Sequence, residues 1–104
     1  MTEPVHPAIE DVDLSTVLAA LADPMRRRVV LELAEAPGVE RLCASFALPV
    51  AKSTRTHHWR VLREAGLVHQ RDAGNGLYLR LRSEELGRRF PGLLEAIAAL
   101  DERA

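Results

Sequence analysis

The run from Pro49 to Val68 constrains this chain more than any other stretch. Trp59, Leu62 and Gly66 recur at i, i+3 and i+7, so one stripe of a helix over about 53–65 faces a core, with Gly66 as its C-terminal stop. Ser53 or Thr54 is placed to cap its start, because a side-chain oxygen there accepts an orphan backbone donor. The opposite face carries Lys52, Ser53, Thr56, His57 and Arg60, and Glu64 is the only acid in the run. Cations and hydroxyls mixed on one helix face suit phosphate oxygens and base edges in a major groove. Arg55 stands near the turn into the helix, where its stem can pack while its head reaches a phosphate. His58 fits either a DNA contact or packing behind the helix.

The helices before this run follow from apolar spacing and punctuation. Asp13 caps a first helix in which Leu14, Val17, Leu18 and Leu21 form an i, i+3, i+4, i+7 stripe. Asp23-Pro24 restarts the chain as cap and first helical residue. Met25, Val29, Val30 and Leu33 point inward on the second helix, to about Ala34, and Arg26 to Arg28 form a solvated face. Pro37-Gly38 ends it. Val39, Leu42, Cys43 and Phe46 keep a helical spacing and predict a short third helix. Ala47 to Ala51 then makes the tight connection of a helix-turn-helix.

Beyond Gly66 the period switches to two. Val68 to Arg71 reads as one strand, and Leu77, Leu79 and Leu81 alternate with Tyr78, Arg80 and Arg82 on another. Gly74-Asn75-Gly76 is the turn of a hairpin. Arg71 and Asn75 are placed to approach a DNA backbone or minor groove, since a glycine-rich tip can come close. Ser83-Glu84-Glu85 caps a last helical region with Leu86, Phe90, Leu93, Leu94, Ile97 and Leu100, kinked or split at Pro91-Gly92. The fold class is therefore α+β and mostly helical, a winged helix-turn-helix. Residues 1–12, with Pro4, Pro7 and several acids, read as a mobile tail, and 13–102 as the domain.

A chain of 104 residues with a net charge of −1 does not advertise a polyanion partner. The distribution does. Residues 51–82 hold seven cations against two acids, a local charge of +5, while the remainder, seven against thirteen, carries −6. The single cysteine, Cys43, excludes an intrachain disulfide and suits a reducing compartment, so a cytoplasmic protein is expected. No targeting leader or membrane span is read from the sequence.

Leu21-Ala22-Asp23-Pro24-Met25-Arg26-Arg27-Arg28, then His57-His58-Trp59-Arg60-Val61-Leu62-Arg63-Glu64-Ala65-Gly66-Leu67-Val68, then a glycine-tipped hairpin, together resemble the ArsR family of bacterial repressors. The resemblance spans roughly residues 14–100. It implies a homodimeric repressor on an inverted-repeat operator of double-stranded DNA, with binding relieved by a small-molecule effector. It implies a dimer built from the first and last helices, here through Val17, Leu18, Leu21, Leu94, Ile97 and Leu100. Lys52, Ser53, Thr56 and His57 stand at the family's operator-contacting positions, with Thr54, Arg55, His58 and Arg60 beside them. Arg55 departs from the aliphatic residue usual there.

Metal-sensing members carry a Cys-x-Cys pair, and here Ser45 stands where the second thiol would be. Cys43 also shares a stripe with Leu42 and Phe46, as a core cysteine does. The last helix offers Glu95, Asp101 and Glu102 without histidines, so no metal and no cofactor are expected. A metal- or redox-responsive repressor using Cys43 is the alternative within DNA binding. A winged-helix protein-interaction module is the alternative of another class. No catalytic constellation is present, since adjacent His57 and His58 point about 100° apart on a helix.

Overall fold

The structure, a computed structural model, describes residues 5–101. Helix α1 spans Leu14–Ala22 and α2 spans Pro24–Ala34. Asp13 accepts from the Thr16 amide at 3.1 Å, and Asp23 accepts from Met25 and Arg26 at 3.0 Å each. Asp23 therefore ends one helix and begins the next, with Pro24 supplying a fixed φ and no orphan donor at the first position. Recognition-type helix α3 spans Lys52–Glu64. The wing strands are β2, Val68–Asp72, and β3, Leu77–Leu81, paired antiparallel with Val68 opposite Leu81 and Asp72 opposite Leu77. Helices α4, Ser83–Arg89, and α5, Leu93–Leu100, are separated at Pro91-Gly92, where Gly92 has φ +80°.

The expected third helix is absent. Arg41–Leu42 forms a short strand, β1, paired with β3, and Cys43–Ser45 makes a single 3-10 turn. Between Pro37 and Pro49 the segment is too short to gain much from helical cooperativity, while the free edge of β3 offers backbone partners at once. Val39 and Leu42 consequently turn outward, and Cys43, Phe46 and Leu48 supply the burial.

Two caps differ from expectation as well. Arg82 precedes α4, so Ser83 does not cap it, and Ala51, with no side-chain hydrogen bond, precedes α3, so neither Ser53 nor Thr54 caps it. At the other end the reading holds. The Leu67 amide donates to the Leu62 carbonyl at 3.1 Å and the Gly66 amide to the Arg63 carbonyl at 3.0 Å, with Gly66 at φ +87°. This is the double bond of a Schellman stop, and it aims the chain directly into β2.

The core joins Val17 and Leu21 of α1, Val29, Val30 and Leu33 of α2, and Trp59 and Leu62 of α3 to Leu67, Val68, Leu79 and Leu81 at the base of the wing. Phe46 packs on Trp59 with ring centroids 5.7 Å apart. Val17 and Leu21 are thus core of the single chain, which corrects their assignment to a dimer face. Leu94 and Ile97 are half-buried against the same core, and Leu18 and Leu100 are exposed.

Arg26 to Arg28 are not merely solvated. Arg26 donates through Nε to the Ala20 carbonyl at 2.8 Å, and Arg27 donates through Nη1 to the Leu21 carbonyl at 2.9 Å. These are the orphan acceptors of the last turn of α1. Arg27 also pairs with Asp101 at 3.1 Å, and Arg28 pairs with Glu32 at 3.0 Å.

The expected tail is a correction too. Within 1–12, residues 1–4 lie outside the described residues, as does Glu102 at the end of the expected domain. Residues 6–12 are a strap over the outer edge of the wing. His6 Nε2 accepts from the Gln70 amide at 2.9 Å, and its ring stacks on His69 at 4.3 Å. Arg82 donates to the Pro7 carbonyl at 2.9 Å, Arg89 donates to the Val12 carbonyl at 2.8 Å, and Val12 is buried. An edge strand with open donors invites foreign pairing, and the strap covers it. Among the described residues no helix is long and apolar enough to cross a membrane.

Candidate nucleic-acid interface

Helix α3 sorts its residues cleanly. His58, Trp59 and Leu62 are buried, while Lys52, Ser53, Thr54, Thr56, His57 and Arg60 are exposed and Arg55 is half-buried. His57 Nδ1 lies 3.4 Å from Arg60 Nη2, a contact in which the ring nitrogen accepts. The first-turn amides of α3 meet no side-chain cap, so the positive end of the helix remains available to an anion beside Lys52 and Ser53.

His58 belongs elsewhere. At 6% exposure it is turned inward, with Nδ1 3.4 Å from Arg26 Nη1, and of its two sequence readings packing behind the helix is the one the fold adopts. It links α3 to the arginine that closes α1.

On the wing, Asn75 stands exposed at the tip between Gly74 and Gly76, where the Asp72 carboxylate accepts from the Gly74 amide at 2.8 Å. Arg71 is engaged. Its Nε and Nη2 donate to the two Glu40 oxygens at 2.9 Å each, and its guanidinium lies 4.9 Å from the Tyr78 ring centre. A phosphate reaching Arg71 has to compete with that carboxylate. Arg82 is buried in its pair with Glu85 at 2.8 Å and is no part of a solvated wing face. Sequence patterning missed the Arg82, Arg89 and Arg26 bonds to backbone, which span long or irregular separations. The one local sign was a triple arginine directly after a helix end.

Cys43 is buried, and burial pushes its thiol up to about 12, which leaves almost no thiolate near neutral pH.

The two inward histidines set a pH dependence. His6 needs an unprotonated Nε2 to accept the Gln70 amide. Burial first, then the charges of His69, Arg82, Arg63 and Arg80, hold its pKa below the ordinary 6.5. For His58, burial lowers it first, Asp23 opposes, and Arg26 and His57 lower it further. Both bases bind fewer protons folded than unfolded, so their contribution is complete above 6.5 and is lost as pH falls below it through the depressed folded values. Urea midpoints should therefore drop between about pH 7 and pH 5, with His6→Gln flattening part of that slope. The lowered carboxylates Asp23, Glu32, Glu40 and Glu85 act in a more acidic window. A wild-type midpoint constant across the histidine window would contradict this account.

A solvent-facing α3, entered from the Cys43–Ser45 turn and followed by the β2–β3 wing, has the form of a winged helix-turn-helix whose leading helix is reduced to a single 3-10 turn. Residues 21–71 match the helix-turn-helix domain family. The crystal structure of a possible transcriptional regulator for arsenical resistance is 34% identical, covering 84% of this chain and 83% of that one, with a TM-score of 0.60. An ArsR-like transcriptional regulator from Rhodococcus sp. RHA1 is 28% identical, covering 86% and 84%, with a TM-score of 0.59. An HTH-type transcriptional regulator of Bacillus subtilis, YceK, is 29% identical over 90 residues, 85% of this chain and 89% of its own. The chain belongs to the ArsR family of winged helix-turn-helix transcriptional regulators. It is a DNA-binding regulator and not an enzyme.

Proposed function

We propose that the protein is a cytoplasmic repressor that binds an inverted-repeat operator as a homodimer and is released by an effector. One observation carries this reading. The outward face of α3 presents Lys52, Ser53, Thr56, His57 and Arg60 to solvent, on a helix whose positive end has no side-chain cap. Lys52 and Arg60 hold phosphates, Ser53, Thr56 and His57 read base edges, and Asn75 approaches the flanking groove. Thr54 and the half-buried Arg55 add backbone contacts at the helix start, and Arg71 joins them when it leaves Glu40. Dimerisation uses the exposed Leu14 and Leu18 of α1 with Leu100 of α5, flanked by Leu94 and Ile97. The buried thiol of Cys43 favours packing over metal or redox sensing.

The test begins with operators selected from genomic fragments. Specific duplex should compete and scrambled duplex should not, and affinity should fall by about 10³-fold or more between roughly 50 and 200 mM salt. Thr56→Ala or His57→Ala should cost about 1–3 kcal/mol and relax discrimination at particular base pairs. Lys52→Ala should weaken all sequences alike and flatten the salt slope. One sequence-independent loss shared by all three variants would refute this division of roles. Capture of an acidic protein by the same α3 face, with no preference among duplexes, would favour an interaction module instead.

A further inference from the structure

A cavity of about 330 Å³ lies between the end of α2, the base of the wing and the two C-terminal helices. Its walls are apolar, built from side chains such as Leu31, Leu81, Leu86, Phe90 and Leu94. That volume falls within the range of sites for small organic molecules, which combine apolar walls with a few convergent polar groups.

The charged groups here are of one sign. Glu35, at the end of α2, and Glu95, in the first turn of α5, are the charged residues lining the cavity, and no lysine or arginine lines it. Both carboxylates are exposed, and neither has a side-chain partner among the described residues. Glu32, Glu40, Glu84, Glu85 and Asp101, by contrast, pair with arginines. Ser83 also lines the cavity, and its buried hydroxyl has no hydrogen-bond partner among the described residues. A buried polar group left unsatisfied costs free energy that a bound partner recovers. None of the outward α3 residues or the wing tip lines the cavity, so DNA contact does not account for it.

We infer that this cavity binds a small organic cation, an amine or quaternary ammonium on an apolar, ring-bearing body. Glu35 and Glu95 receive the cationic end, and the body lies along Phe90 and the leucines. The same walls include Leu67 and Leu81 at the root of the wing and Leu93 and Leu94 of α5. A bound molecule thus joins the wing base to the last helix, and any preference for one arrangement of those elements shifts operator affinity. That consequence rests on the proposed repressor function, whereas binding itself does not.

Full-length protein titrated calorimetrically with 4-phenylbutylamine, 4-phenylbutan-1-ol and 4-phenylbutyrate separates charge from shape. The amine should bind one per chain, roughly three- to tenfold tighter than the alcohol, with the carboxylate weakest. The doubly neutralised Glu35→Gln/Glu95→Gln variant should bind amine and alcohol equally. Ala98→Trp, which fills the cavity, should weaken all three. Equal affinities in the wild type, or an amine preference that survives double neutralisation, would overturn the inference. So would amine affinity that falls as protein concentration rises through the dimer range, because the groove would then belong to a second copy. Amine binding without any specific operator binding would strike the repressor reading and leave the cavity assignment standing. Operator binding without amine binding would strike the cavity alone.

Discussion

Replacing Gly66 by alanine should destabilise the fold by about 2–4 kcal/mol, which for a domain of this size lowers Tm by about 10–25 °C. Two effects combine at this residue. Its φ of +87° lies in the left-handed region, where a Cβ costs about 1–2 kcal/mol. A Cβ there would also collide with Val12 Cγ2, and Val12 is itself buried beneath the strap. Gly38 separates the two contributions, because it has a similar φ of +81° with nothing near its missing Cβ. Gly38→Ala should therefore cost only about 1 kcal/mol. Restoring space with Val12→Ala in the Gly66→Ala background should recover part of the loss, as coupled neighbours do. Urea unfolding of the four proteins measures this, and Gly66→Ala no worse than Gly38→Ala would show that the strap yields freely. The residue matters for function because the same turn sets the angle between α3 and the wing.

Much of this architecture was legible because local rules and global packing agree. Asp13 and Asp23-Pro24 announce α1 and α2, Gly66 announces the end of α3, and alternation at Leu77, Leu79 and Leu81 announces β3. Patterning failed where a short segment had a nonlocal alternative. Eight residues from Val39 to Phe46 fit a helical stripe equally well, but the edge of β3 captured Arg41 and Leu42. It failed again for residues 6–12, whose anchoring bonds reach Gln70, Arg82 and Arg89, far along the chain. Apolar periodicity also could not say which neighbour a buried face meets. Val17 and Leu21 share a stripe with Leu14 and Leu18, yet the first two serve the core of one chain and the last two remain outside it. The outward face of α3 was the most readable part of the candidate site, since helical geometry alone turns Thr56 and Arg60 away from Leu62. His58 was ambiguous in sequence because its partner, Arg26, lies on another helix.

That division of α1 supplies the prediction with the largest effect on DNA binding. Leu18→Glu should yield a folded monomer with operator affinity reduced by about 10²–10⁴-fold. Leu14 and Leu18 are 44% and 45% exposed and Leu100 is 81% exposed, although all three are large and apolar. Arg27 bonds the Leu21 carbonyl and the Asp101 carboxylate together, so the ends of α1 and α5 are held at one place on the surface. Covering such side chains contributes about 1.5–3 kcal/mol each when burial is complete, and two-fold symmetry counts every one of them twice. The resulting dimer would set two α3 helices about one DNA turn apart, roughly 34 Å, so that each half-site binds with the other already tethered. A glutamate in the seam removes the tether without touching α3. Val17→Glu is the contrasting variant, because Val17 is fully buried and a charge there should unfold the chain and leave no folded monomer. Sedimentation velocity beside an operator titration reads both quantities. Wild-type protein that is monomeric at micromolar concentration and still binds its operator tightly would defeat the dimer. A Leu18→Glu protein that remains dimeric would move the seam to another face.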